Sequence, residues 1–331
     1  MSQTTTASPA RSGGGVAARV KQWDGFGLLA VLIVLFLVLS LTAPNFLTTS
    51  NQLNILRQAA FFGIVAFAMT LVIVSGEIDI SVGSQAALSS ALLGVLVVNH
   101  GWPMWTACLA AIVVAAFLGA VTGLLRSWFA VPTFISTLAL YLALRGAAEL
   151  LTNTFPIPID SSRFFYYVGG SVLGVPTPAV YIVVIFVIIT VVARKTVFGR
   201  SIYAVGGNAK SAELSGINLT RVRVAVMVIS GISAAITGLL LSAQLSSGNS
   251  TIANGLEFDA IAAAIIGGSA LSGGKGTVVG TLVGVLFVAV LLNGMVLLGV
   301  NPYAQQVIRG VVVLLAVLVN VWRSRRSTAS A

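Results

Sequence analysis

The chain is a succession of long apolar stretches separated by short polar links. A helix needs about 20 mostly apolar residues to cross a bilayer core, because every backbone polar group must be satisfied within the segment. About ten stretches meet that need, over 26–43, 58–75, 82–98, 104–125, 133–152, 178–194, 222–245, 258–271, 278–298 and 303–322. The third and eighth are short or rich in Gly and Ser. The pattern predicts an all-α polytopic membrane protein with one transmembrane domain over 26–322. Residues 1–25, rich in Ser, Thr, Gly and Ala, are expected to form a flexible cytosolic tail, and 323–331 a cytosolic carboxyl-terminal tail. The first apolar run lacks a small-x-small cleavage site, since Pro44 follows the best candidate, Ala43, so it reads as a retained span.

Composition agrees: 57% of the 331 residues are hydrophobic and 8% charged, with a mean hydropathy of +1.03. A soluble domain is roughly 25% charged. The net charge of +10 would suggest nucleic acid in a soluble protein; here its distribution says otherwise. Basic residues gather in the amino-terminal tail (Arg11, Arg19, Lys21), in a central segment (Arg194, Lys195, Arg200, Lys210, Arg221, Arg223) and at the carboxyl end (Arg323, Arg325, Arg326). With the amino terminus inside, these three groups, Arg126 and Lys275 all fall on the cytoplasmic side, and only Arg57 and Arg163 fall outside. Both termini are therefore expected in the cytoplasm. Trp23, Trp102, Trp105, Trp128 and Trp322 all lie at predicted span ends, where an amphipathic ring prefers to sit. Cys108 is the only cysteine and lies in an apolar run, which points to packing; His100 is alone in the link NHGWP and reads as a loop residue.

Two acidic pairs echo each other. SGEIDISVGS follows the second span and NGLEFDAIAA the seventh, each with Glu-x-Asp: Glu77 with Asp79, and Glu257 with Asp259. The span count puts the pairs on opposite sides, the arrangement expected of inverted five-span repeats. The acids either cap helix ends near the interface, helped by Ser81 and Ser84, or sit on broken Gly-rich segments that line a polar path.

The segment 194–223, RKTVFGRSIYAVGGNAKSAELSGINLTRVR, is the longest predicted cytosolic loop. Gly206 and Gly207 permit a tight turn, Asn208 can cap a helix, and Ala209, Ala212, Glu213 and Leu214 fall on its first turns. The stretch GR-x-I-Y-A-x-GGN-x-x-x-A-x-x-SGI, ending at Gly216 and Ile217, resembles the cytosolic loop of ribose-type ABC permeases. Three further motifs match that family: G-x-x-D-x-SVGS, D-A-I-A-A-x-I-I-GG-S-x-x-x-GG-x-G-T and NG-x-x-L-L-G-V, which contains Asn293. The resemblance covers roughly residues 45–320. It implies that residues 206–216 form a coupling helix docking on a separate cytoplasmic ATPase, that ATP and Mg are bound on that partner, and that this chain carries no cofactor. It also implies an extracytoplasmic solute-binding protein, a second permease copy, identical or related, and a bacterial inner-membrane location for sugar import. The family has GGIDLSVGS where this chain has SGEIDISVGS, so Glu77 adds a carboxylate.

Arg145 and Arg309 lie within spans, where a cation must face the bundle interior or a carboxylate. Glu149 lies one turn after Arg145 and is its expected ion-pair partner; Arg309 has none nearby in sequence. Glu77, Asp79, Ser81, Ser84, Arg145, Glu257, Asp259 and Asn293 are the candidates for a translocation path. GGSALSGGKGT resembles a phosphate-binding loop but has Ser269 and Gly276 where Gly and Ser or Thr are required. No enzyme chemistry or metal site is expected. The competing expectations are an ion-coupled secondary transporter using the four acids, and a membrane anchor that holds a cytosolic partner through 194–223.

Overall fold

The computed structural model describes residues 26–160 and 163–329; the predicted tail 1–25 lies outside them. The helices are α1 (Phe26–Thr42), α2 (Thr49–Val74), α3 (Val82–Gly94), α4 (Met104–Trp128), α5 (Thr133–Thr152), α6 (Arg163–Gly169), α7 (Thr177–Lys195), α8 (Val197–Gly207), α9 (Ala209–Leu214), α10 (Leu219–Leu245), α11 (Leu256–Ile266), α12 (Val278–Leu297) and α13 (Pro302–Ala329). A π-helical turn, Val95–Asn99, extends α3. Two-residue strands pair antiparallel: β1 (Ile157–Pro158) with β4 (Ser247–Gly248), and β2 (Ser171–Val172) with β3 (Val175–Pro176).

Seven of these segments are long and apolar enough to cross a membrane: α2, α3 with its π turn, α4, α5, α7, α10 and α12. Two shorter apolar helices, Gly27–Thr42 and Pro302–Leu318, stand at the two ends. The structure corrects the span expected over 258–271. α11 has only 11 residues, about 16 Å of helix, and gives way to Gly-rich turns at Gly267 and Gly268. It is too short to cross a bilayer core of about 30 Å.

Helix boundaries follow local chemistry. Thr48, Thr196, Asn208, Asn218 and Thr277 each accept a backbone N–H in the first turn of the helix they precede. Pro132 and Pro176 precede α5 and α7, where a missing N–H costs nothing. Asn153 and Ser246 adopt left-handed conformations that end α5 and α10.

α2 is the centre of the molecule, buried at every residue from Ala59 to Val74 and packed by α7, α10, α11 and α12. α4, α5 and α7 bury one stripe and expose apolar side chains such as Leu109, Phe117, Leu142 and Val187, the surface a lipid solvent calls for. The most extensive helix contact joins α4 to α10. It depends on Gly119 and Gly123, where a Cβ would meet the Met227 carbonyl and Val224, so that backbones touch as in small-residue membrane packing.

The short helices pack against long ones. α3 packs on α10, and α11 packs on α2. Gly238 meets Ala86, Ser242 bonds to Ser90, and Gly248 meets Gly94, so α3 runs beside only the distal half of α10. The chain from Ser75 to Ser81 therefore travels back into the bundle before α3 starts.

Candidate functional site

Glu77 and Asp79 lie on the return segment between α2 and α3, and both are buried, but they serve different neighbours. Arg126, at the end of α4, donates Nε–H to Glu77 at 2.9 and 3.1 Å, and Thr133 donates its hydroxyl at 2.9 Å. The Arg223 Nε of α10 lies 3.1 Å from the same carboxylate. One anion thus holds two guanidinium groups and ties the return segment to α4, α5 and α10. Asp79 accepts the backbone N–H and hydroxyl of Ser81 at 2.9 and 2.6 Å, and the hydroxyl of Ser230 at 2.7 Å. Gln85 donates to Ser81 at 2.7 Å, and Ser84 to the Tyr141 carbonyl at 2.7 Å. Ser230 lies near the middle of α10, so the start of α3 is pinned inside the bundle.

The second acidic pair is arranged otherwise. Asp259 faces Arg309 of α13 at 3.5 Å, supplying the partner that sequence did not offer. Glu257 is fully buried at the start of α11, against Gly83 of α3. The ion pair expected between Arg145 and Glu149 is not formed. Arg145 turns across to the loop before α11, and its Nη1 donates to the carbonyls of Ser250 and Ile252 at 2.7 and 2.8 Å. Those carbonyls lie on irregular backbone with no ladder to join, which makes them strong acceptors for a buried guanidinium. Asn293 is satisfied within the core. It exchanges amide hydrogen bonds of 2.8 and 3.0 Å with Asn51, linking α12 to α2.

The central segment contains two helices, α8 and α9. Asn208 caps α9 as expected, its side chain accepting the Ser211 N–H at 2.9 Å. Ala212 is buried, while Lys210 and Glu213 form an exposed pair at 2.9 Å and Leu214 is 78% exposed. The double glycine does not make the expected turn: Gly206 and Gly207 are the last residues of α8, and the left-handed position falls at Gly216. Gly206 instead permits close approach. A Cβ there would fall on the Val74 carbonyl oxygen and 2.7 Å from the Gly274 nitrogen. Gly274 donates its N–H to that carbonyl at 2.8 Å. Tyr203 of α8 donates its hydroxyl to the Gly276 carbonyl at 2.9 Å; burial pushes its phenol above the usual value, with Arg194 opposing, so it stays a donor. The root of α9 therefore bears on both the end of α2 and the turn that follows α11.

Residues 51–317 match the family described as branched-chain amino acid transport system / permease component. The chain is 50% identical to the probable ABC transporter permease protein YphD of Escherichia coli, over 91% of each chain. The chain belongs to this permease family. It is also 43% identical to the ribose import permease protein RbsC of Bacillus subtilis, over 87% of this permease and 90% of the relative. The xylose transport system permease protein XylH of Escherichia coli is 32% identical over 96% of both chains. No solved structure matches the permease. The ribose-type ABC permease resemblance read from four motifs is thus established, and membership does not favour an ion-coupled secondary transporter.

Several residues that complete the permease's polar sites carried no signal in the sequence. Arg126, Thr133, Arg223, Ser230 and Asn51 are far from their partners along the chain, and single Ser, Thr or Arg residues at helix ends are ordinary. Gly83 was visible only as part of SVGS, with nothing to connect it to Glu257.

Proposed function

We propose that this permease forms the membrane path of an ATP-driven importer for a sugar or a similar small polar solute. The names of its relatives support the solute class, since those 32% to 43% identical over nearly full length include ribose, arabinose and xylose permeases. The observation that carries the reading is the root of α9. An exposed, Asn-capped helix, with Leu214 and the Lys210–Glu213 pair outward, stands on two turns that lead directly to the short helices α3 and α11. A force applied to α9 from the cytoplasm reaches both re-entrant segments through backbone contact.

In this reading ATP and Mg belong to cytoplasmic ATPase subunits that receive Gly206 to Gly216, a solute-binding protein delivers cargo from outside, and a second permease copy, identical or related, completes the path. The chain spans the bacterial inner membrane many times, with both termini in the cytoplasm and α11 entering the bundle without crossing it. Two five-helix halves are related by inverted topology, with α2 and α3 in one answering α10 and α11 in the other. The return segments with Asp79, Ser81, Ser84, Arg145, Glu257 and Asp259 border the path, while Glu77 and Asn293 brace it.

Two measurements test this. Cells lacking the chain should lose uptake of labelled ribose, arabinose or xylose and regain it on complementation; unchanged uptake of all three refutes the solute class. Lys210→Cys, in a background with buried Cys108 replaced by Ala, should react with a membrane-impermeant thiol reagent in inside-out vesicles and not in intact cells. Labelling from outside intact cells refutes the orientation.

A further inference from the structure

The amino-terminal ends of α3 and α11 meet inside the bundle, and charge is left unpaired where they meet. Glu257 is 0% exposed, yet neither carboxylate oxygen has a well-formed hydrogen bond; only the backbone N–H groups of Gly255 and of Glu257 itself act on it, and no side chain donates to it. The carboxylate occupies the notch left by the missing side chain of Gly83, the second residue of α3: a Cβ there would fall on Oε2 and come within 2.8 Å of the Ala253 carbonyl oxygen. It therefore lies against the first turn of α3, whose N–H groups have no intrahelical partners and carry the positive end of the helix dipole. Arg145 uses Nη1 on the Ser250 and Ile252 carbonyls, but its Nε and Nη2 are buried without partners. Its charge acts on Glu257 without an ion pair forming between them. Buried polar atoms are nearly always hydrogen-bonded, and four idle ones in one small region need a reason.

We propose that Glu257 and Arg145 are the transported solute's contact residues, shut in this conformation, and that they select an uncharged polyhydroxy compound. The inference rests on the importer reading above and gives it a site. The open carboxylate supplies two acceptors and the guanidinium two donors, and a hydroxyl can serve either. Neighbouring hydroxyls of one neutral molecule can engage both groups at once. A cationic solute would suit Glu257 but meet Arg145 and the α3 dipole; an anionic one would suit Arg145 but meet Glu257. Glu257 itself fills the Gly83 notch, so entry requires α3 and α11 to part. The turns leading to α3 and from α11 both rest on Gly206, but α3 is also pinned to α10 through Asp79 and Ser230. The moving partner is therefore α11, drawn by α8 and α9.

The test uses cells lacking the chain, complemented with wild type, Glu257→Gln or Arg145→Gln, with the amount of permease in the membrane measured for each. Uptake of labelled ribose, arabinose and xylose is followed in the cells, and binding of the same sugars to the purified permease in detergent, free of any binding protein, is measured in the presence of glucuronate, an acidic sugar, or glucosamine, a cationic one. Each variant should raise the half-saturating concentration about ten-fold or more, as expected for one lost charge-assisted hydrogen bond. Selectivity should also invert. Glucuronate should compete in Glu257→Gln, and glucosamine in Arg145→Gln, while neither competes in the wild type; a purely structural role would not move this readout. If Glu257→Gln does not reach the membrane, the Arg145→Gln arm decides by the same criterion. Wild-type affinity with unchanged competition in the variants overturns the inference and leaves the importer reading standing. Failure of the wild type to import any of the three sugars removes both.

Discussion

Gly206 and Gly207 are neighbours in sequence with opposite surroundings, and replacing each by Ala separates a packing requirement from a general preference for glycine. At Gly206 a methyl group would meet the Val74 carbonyl oxygen, which already accepts the Gly274 N–H at 2.8 Å. Overpacking of this kind costs about 1–3 kcal/mol, and the displaced backbone bond about 0.5–1.5 kcal/mol more. The better helix propensity of Ala returns at most about 1 kcal/mol. At Gly207 nothing lies within 4 Å, so Ala should be neutral or slightly stabilising. The two variants should differ by about 2–4 kcal/mol, which at roughly 2 °C per kcal/mol for a chain of this size is a gap of about 4–8 °C in apparent unfolding temperature. Thermal unfolding of the purified protein in detergent, followed by tryptophan fluorescence, measures that gap. ATP-driven uptake in cells should fall for Gly206→Ala and hold for Gly207→Ala. Equal midpoints, or a less stable Gly207→Ala, would refute the claim that the root of α9 is in backbone contact with the end of α2.

Other consequences follow from the same contacts. Glu77→Ala strands two partly buried guanidinium groups and should lower stability by about 3 kcal/mol, whereas Arg126→Ala leaves the Arg223 pair in place and should cost about 1 kcal/mol; denaturation of both variants gives the order. Asn51→Leu and Asn293→Leu should each cost about 1–3 kcal/mol by orphaning the other amide, and the double variant should fall short of their sum by about 1 kcal/mol or more in a double-mutant cycle. Asn208→Ala should weaken α9 by about 1 kcal/mol and reduce uptake, with Asn208→Asp retaining both; equal activity of Asn208→Ala and wild type would show that the cap is dispensable for coupling.

What could be read along the chain is what depends on local chemistry or on the solvent. A lipid environment forbids unsatisfied backbone, so apolar length alone marked the long helices α4, α5, α7, α10 and α12 to within a few residues, and α2 except that it begins at Thr49, nine residues before the expected start. The cap at Asn208 was legible because its acceptor and the Ser211 donor are three residues apart. Of the short helices, α3 with its π turn fell where expected and α11 did not. Residues 258–271 have the composition of a span, and only the Gly turns at 267 and 268, stabilised by packing elsewhere, end α11 after 11 residues.

The sequence by itself determined that the chain lives in a membrane, which segments are helical, where charge breaks the apolar pattern, and which family's motifs it carries. The tertiary structure decided which charges meet. Glu77 reaches Arg126, Arg309 reaches Asp259, and Arg145 passes over Glu149 for two carbonyls, because in a low-dielectric interior a charge takes whichever partner the helix packing brings within 3 to 4 Å. The use of each glycine was settled the same way: whether a missing side chain serves a turn, as at Gly216, or a contact, as at Gly206 and Gly83, depends on what lies opposite, and distance along the chain carries no information about that.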